Sequence, residues 1–422
     1  MSIVSTPPAA RVRSYRTPSG IEIWHVEDYT VPVLSVECAF QGGAAQDPEG
    51  QCGLANLLAG LMDEGAGQLD SASFQEQLEE RAIELSFDAG RDRIGASLRT
   101  LADNAAEAFR LLGLAMQAPR FDQDAIERVR SQIISGLKRD ESDPGARARD
   151  RLNALAFEGH SYSRSAEGKI DELLTITRDD VIRQHTRLFA RERLHIVAVG
   201  AVSADALIAL VEGAFGPLTA APQLTPLEAI TMKNLGKRDI IDLDIPQSTL
   251  YLALPGIGRK DADYMPAMIL NHILGGGSFT SRLWFEVREK RGLAYSVWSM
   301  LANRNLASLF FAGTATSNER VGESLDIMLR EIDRIAKEGA SAGELGQAIR
   351  FQTGSYALRF DTSRKIAHQL LEIKIEELGM DYIDRRNAEV SAVTLDDLAR
   401  VGNRLFGNAE PLVVVAGRPT GL

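Results

Sequence analysis

Two stretches of this chain, 217 residues apart, carry one pattern without a gap between them. The first runs Thr177-Arg178-Asp179-Asp180-Val181, through Arg187-Leu188-Phe189, to Leu194-His195-Ile196-Val197-Ala198-Val199-Gly200. The second runs Thr394-Leu395-Asp396-Asp397-Leu398, through Arg404-Leu405-Phe406, to Leu412-Val413-Val414-Val415-Ala416-Gly417. Thr177/Thr394, Asp180/Asp397, Phe189/Phe406 and Gly200/Gly417 fall in register. Each stretch reads as a threonine-capped helix with acids in its first turn, followed by a buried strand. Val31-Pro32 recurs as Ile245-Pro246, and Leu54-Ala55-Asn56-Leu57-Leu58 faces Ile269-Leu270-Asn271-His272-Ile273 at a similar offset. Such a duplication confines the chain to two domains of about 200 residues on one plan. A length of 422 residues is likewise too great for a single core.

Between the halves, Gly216-Pro217-Leu218-Thr219-Ala220-Ala221-Pro222 and Pro226 break every periodicity. We therefore divide the chain into an N-terminal domain 1–218, a connector 219–236 and a C-terminal domain 237–422. Strand patterns include Ile21–His25, Val33–Phe40, Ile94–Leu98, Ser248–Leu254 and Ala307–Ala312. Helical stripes include Ala105–Met116, Ala125–Leu137, Val321–Ile335 and Glu344–Leu358. Helices outnumber strands in mixed order. The expected fold class is α+β: two homologous tandem domains, each a mixed, mostly antiparallel sheet packed with helices.

The composition, 45% hydrophobic and 25% charged, is that of an ordinary globular protein. A formal net charge of -11 argues against nucleic acid or an anionic membrane as partner. Cys38 and Cys52 are the only cysteines, so no disulfide framework is implied. No apolar run approaches the roughly 18 residues of a membrane span. The start, Met1 to Ala10, lacks the basic and apolar regions of a signal peptide. It fits a cytosolic chain and equally a mature chain behind a new Met.

Gly53-Leu54-Ala55-Asn56-Leu57-Leu58-Ala59-Gly60-Leu61-Met62 places Leu54, Leu57, Leu58, Leu61 and Met62 on one buried helical stripe. Asn56, Ala59 and Gly60 lie on the opposite face. The segment resembles the H-x-x-E-H helix, G-L-A-H-F-L-E-H-M, of the pitrilysin/insulinase zinc metallopeptidases. There two histidines grip one Zn²⁺ and the glutamate activates water. Asn56, Ala59 and Gly60 stand at those three positions here. Taken alone, the segment also reads as a coincidental apolar helix. No two of the six histidines lie within one helical turn. The window about 75 residues on, where the family has its third ligand, is Ser131-Gln132-Ile133-Ile134-Ser135-Gly136-Leu137, without an acid. No metal is expected on this chain.

The second half contains Leu274-Gly275-Gly276-Gly277-Ser278-Phe279-Thr280-Ser281-Arg282-Leu283, then Phe285 through Arg288-Glu289-Lys290-Arg291-Gly292-Leu293-Ala294-Tyr295. Three glycines after an apolar helix predict a flexible or left-handed loop where backbone approaches a ligand, or a helix cap plus turn. A phosphate loop is excluded, because no G-K-[ST] follows. Singly, Arg288 reads as a solvated helix charge and Tyr295 as a core strand aromatic. Together the passage resembles the second-half signature of the same family and of mitochondrial processing peptidase subunits: L-G-G-G, S-R-L, then R-x-x-x-G-L-x-Y.

That resemblance, covering nearly the full length, implies the non-zinc subunit of a two-subunit zinc endopeptidase. It implies Arg288 and Tyr295 as catalytic residues, and Gly275, Gly276, Gly277, Ser278 and Phe279 as substrate-binding. Asn56, Ala59 and Gly60 become a degenerate metal site. Zinc is expected on a homologous H-x-x-E-H partner, short unfolded peptides as substrate, and a bacterial periplasm by family analogy. The alternative is a non-proteolytic structural or chaperone-like subunit. A stand-alone serine hydrolase is disfavoured, because Gly-x-Ser-x-Gly is absent.

Overall fold

The computed structural model describes residues 12–408 and 410–422. The first sheet is built from β1 (Val12–Arg16), β2 (Glu22–Glu27), β3 (Val33–Gln41), β4 (Glu84–Ala89), β5 (Arg93–Leu101) and β6 (Leu194–Gly200). Its order is β1-β2-β6-β3-β5-β4. The second comprises β7 (Arg238–Asp242), β8 (Gln247–Pro255), β9 (Ala294–Asn303), β10 (Ser308–Ser317) and β11 (Leu412–Gly417), in the order β7-β11-β8-β10-β9. Apart from β1, the two orders are the same. The parallel pair sits at the same place in each, β2/β6 and β7/β11. The other neighbours are antiparallel. The expected α+β duplication is what the chain forms.

The repeated sequence motif makes equivalent elements. Thr177 caps helix Arg178–Leu188, its amide donating to Asp180 at 2.8 Å while the Asp180 amide donates back to the Thr177 hydroxyl at 3.3 Å. Thr394 and Asp397 repeat this reciprocal cap on helix Leu395–Phe406, at 3.0 and 3.2 Å. Both helices then deliver a strand buried on both faces, β6 and β11.

One face of each sheet meets the helices expected from the apolar stripes. Leu34, Val36, Phe40, Leu98 and Ile196 pack with Leu57, Leu58, Phe109, Val181 and Leu207. Leu250, Leu252, Phe310 and Val413 pack with Ile269, Leu270, Leu325, Met328 and Leu398. The other face of each sheet is covered from the opposite half of the sequence. Helix Ser363–Ile375 lies over β3 and β6, and helix Pro144–Ala156 over β8 and β11. Lys374 anchors the first, its ammonium 2.9 Å from Glu22 and 4.8 Å from the centre of the Trp24 ring. Arg151 anchors the second through two bonds to Asp239, at 2.7 and 2.9 Å.

The compact units therefore differ from the linear division at 218 and 237. Residues up to 137, 165–226 and 357–385 form one; 138–164, 227–356 and the segment from 386 form the other. A strand such as β6, apolar on both faces, requires a second covering layer, and sequence order does not say which helix supplies it. Within the connector, residues 222–234 form neither helix nor strand. Thr225 exchanges two hydrogen bonds with the side chain of Gln46, at 2.8 and 3.1 Å.

Candidate functional site

The Leu54–Leu61 helix forms as its stripe dictates. Leu54, Leu57, Leu58, Leu61 and Met62 are buried. Asp47 caps its start, accepting from the amides of Gly53 and Ala55 at 2.9 Å each. Gly53 sits at φ 99°, a left-handed conformation that favours glycine. Of the three positions matched to ligands, Asn56 donates from Nδ2 to the Glu167 carbonyl at 3.0 Å. Ala59 is buried. A Cβ at Gly60 would lie 2.8 Å from a methyl carbon of Val129, on helix Gln123–Asp140. An aliphatic side chain thus closes the space a ligand at 60 would need. The residue facing Gly60 precedes the window 131–137 by two places, and it too carries no acid. Among the described residues no three His, Cys, Asp or Glu side chains converge as a metal set.

In the second half, helix Tyr264–Asn271 runs into a π turn, His272–Gly276, then a short 3-10 turn, Ser278–Thr280. The glycine triplet is not left-handed, which corrects the expectation of a flexible or left-handed loop; it ends a helix and enters a turn, the other reading the sequence offered. Ser278 alone in that stretch has positive φ, 49°. The glycines are required by contact: a Cβ at Gly275 would meet the Ser299 hydroxyl at 2.5 Å, and one at Gly277 the His272 carbonyl at 2.6 Å. Their close approach is to β9 and to the helix itself.

The S-R-L part of the signature is structural. The Ser281 hydroxyl donates to the Ser278 carbonyl at 2.9 Å and accepts from the Trp284 amide at 3.4 Å. Arg282 grips Glu344 through two bonds of 2.6 and 2.9 Å and donates to the Gly339 carbonyl at 2.9 Å. That guanidinium, opposed by burial, holds the Glu344 carboxyl at about 2. Leu283 is core.

A second π segment, Trp284–Glu289, carries Arg288, and β9 carries Tyr295. π turns recur at functional sites. The Arg288 guanidinium carbon lies 4.6 Å from the centre of the Tyr295 ring. It lies 5.5 Å from that of Trp284 and 6.0 Å from that of Phe279. Tyr295 is 83% exposed and Phe279 68%. So neither a core tyrosine nor a merely solvated arginine describes them. Neighbouring cations are ion-paired, Arg291 and Lys290 both on Glu286. Among the described residues the Arg288 guanidinium has no hydrogen bond or ion pair, and the Tyr295 hydroxyl none either. Five planar N–H donors and a phenol are available at one exposed place, an arrangement that suits carbonyl or carboxylate oxygens. The sequence reading missed Trp284; its signal was an aromatic four residues before Arg288 on a helical pattern.

Residues 25–169 match the model of "Insulinase (Peptidase family M16)" and residues 175–351 that of "Peptidase M16 inactive domain". The non-peptidase homolog YmxG of Helicobacter pylori is 27% identical over 346 residues, 81% of this chain and 79% of that one. Mitochondrial-processing peptidase subunit beta of Lentinula edodes is 22% identical over 412 residues, 94% of this chain and 87% of that one. A solved structure of the peptidase M16 inactive domain from Pseudomonas fluorescens superposes with a TM-score of 0.91 at 26% identity, covering 97% of this chain and 98% of that one. With both halves matched and the tandem architecture in place, the chain belongs to the M16 peptidase family.

Proposed function

We propose that this chain is the non-zinc-binding subunit of a heterodimeric zinc metalloendopeptidase that cleaves short unfolded peptides, its partner a homologous H-x-x-E-H subunit. The observation that carries it is the juxtaposition of an unpaired Arg288 guanidinium with an exposed Tyr295 hydroxyl, on a chain whose own metal position is closed by Val129. The partner's zinc supplies the Lewis acid and the activated water. Tyr295 donates to the oxygen of the scissile carbonyl as negative charge develops there, an oxyanion contact worth about 3 kcal/mol where such donors have been removed. Arg288 holds neighbouring substrate carbonyls in register with its planar fork. Gly275 to Gly277 seat the loop that brings Ser278 and Phe279 beside them. No helix among the described residues is long and apolar enough to cross a membrane, and we place the complex in a bacterial periplasm.

The test mixes the purified chain with an H-x-x-E-H homologue from the same genome and follows a quenched fluorogenic peptide. Neither chain alone is expected to reach the rate of the mixture. A partner as active alone as in the mixture would refute the proposal. The Helicobacter relative's designation as a non-peptidase homolog favours one other function, a non-proteolytic scaffold; a mixture without activity at any substrate concentration would favour it.

A further inference from the structure

The cations nearest position 288 in the sequence are paired with carboxylates. Arg282 is on Glu344, while Arg291 and Lys290 share Glu286. Arg288 instead has three aromatic rings, those of Tyr295, Trp284 and Phe279. Trp284 and Phe279 brace each other edge to face with centroids 5.3 Å apart. A ring attracts a guanidinium through its quadrupole and leaves the N–H donors unused. A carboxylate would occupy those donors and neutralise the charge.

Trp284 carries a second mark. Its indole Nε1 is buried with no acceptor among the described residues. A buried N–H without a partner weakens a fold, and phenylalanine at 284 would remove it. What tryptophan has over phenylalanine is the stronger attraction for a cation. Ser278, held at positive φ, sits directly before Phe279 and fixes where that ring emerges. Local backbone strain of this kind accompanies sites where geometry matters.

We propose that Trp284, braced by Phe279, is a positioning residue: it holds the Arg288 guanidinium in place while leaving all its donors open for substrate. The proposal rests on the functional role given to Arg288 above, and deepens it.

Two measurements test it. On the isolated chain, the order parameter of the Arg288 Nε–H vector is read by ¹⁵N relaxation, its signal assigned by its loss in Arg288→Lys. It is expected to be high in the wild type and in Trp284→Phe and to fall in Trp284→Leu; equal values in wild type and Trp284→Leu overturn the proposal. In the heterodimer, Trp284→Leu should lower kcat/KM by about 3- to 10-fold, the size of a partly buried cation–π contact. Trp284→Phe should recover most of that while melting no lower than wild type, because it removes the unpaired N–H. The double variant Trp284→Leu/Arg288→Ala should be no less active than Arg288→Ala alone. Losses that multiply, or a melting temperature that falls with activity in Trp284→Phe, show a structural role and overturn it. If Arg288→Ala leaves turnover intact, the functional role of Arg288 fails, and the order parameters still decide whether Trp284 positions it.

Discussion

Tyr295 and phenylalanine differ by one hydroxyl, and that hydroxyl is on an 83% exposed residue with no protein partner among the described residues. Tyr295→Phe should therefore leave folding and assembly intact, as size-exclusion chromatography would show. If the hydroxyl serves the transition state, kcat falls roughly 10²-fold with KM little changed; near-wild-type kcat would make the residue structural. Arg288→Ala should damage both constants, and Arg288→Lys should rescue poorly, because a point ammonium lacks the fork. A different residue contributes to acid sensitivity. His185 stacks on Phe189 with centroids 4.8 Å apart and donates from Nε2 to the Met116 carbonyl at 3.1 Å. Burial lowers its pKa from 6.5 to about 4, against the smaller opposing effect of that carbonyl. Between those values the unfolded chain binds a proton that the folded chain refuses. This contribution to stability is present above pH 6.5 and is lost as pH falls towards 4, by about 3 kcal/mol in total. Denaturant titrations at pH 7 and pH 5 should show a steeper loss for wild type than for His185→Phe; parallel losses would exclude this histidine as the cause.

At the scale of elements, the Leu54–Leu61 helix meets Val129 of the Gln123–Asp140 helix at Gly60. Gly60→His must displace Val129, whose methyl lies 2.8 Å from the new Cβ, and overpacking of this sort costs about 1–3 kcal/mol. Chemical denaturation should show that loss, with Val129→Ala restoring part of it; no loss would mean the helices separate freely. The triple change Asn56→His, Ala59→Glu and Gly60→His should still hold no zinc after dialysis, since residues 131–137, where the third ligand is expected, contain no acid. One tightly bound zinc per chain would contradict this. The Gly275–Gly277 turn teaches a related point. Its composition suggested left-handed backbone, whereas the glycines are there because Ser299 and His272 leave no room for a Cβ. Conformation and clearance select the same residue, and only neighbours brought by the fold distinguish them.

At the scale of the molecule, the exchange of covering helices makes the halves of the sequence incomplete. Fragment 1–218 lacks helix Ser363–Ile375, and fragment 237–422 lacks helix Pro144–Ala156, so each would expose the second face of its sheet. Exposed β6 or β11, both rich in apolar side chains, favours aggregation. Expressed singly, the fragments should be insoluble or melt without cooperativity; expressed together, they should co-purify and melt as one transition. A monomeric, cooperatively melting 1–218 would disprove this. The duplication, the capped helices and the amphipathic stripes were legible in the sequence, because caps and periodicities of 2 and 3.6 residues are encoded within a few neighbouring positions. Arg288 and Tyr295 were singled out only through the family signature they match, since each residue read alone suggested a solvated charge or a core aromatic. The tertiary structure alone decided which helix covers which sheet, that Val129 crowds Gly60, and that Arg288 meets rings while its neighbours meet carboxylates. Those outcomes depend on contacts such as Lys374 with Glu22 and Arg151 with Asp239, between residues far apart in the chain, where local pattern carries no information about which surface will be met.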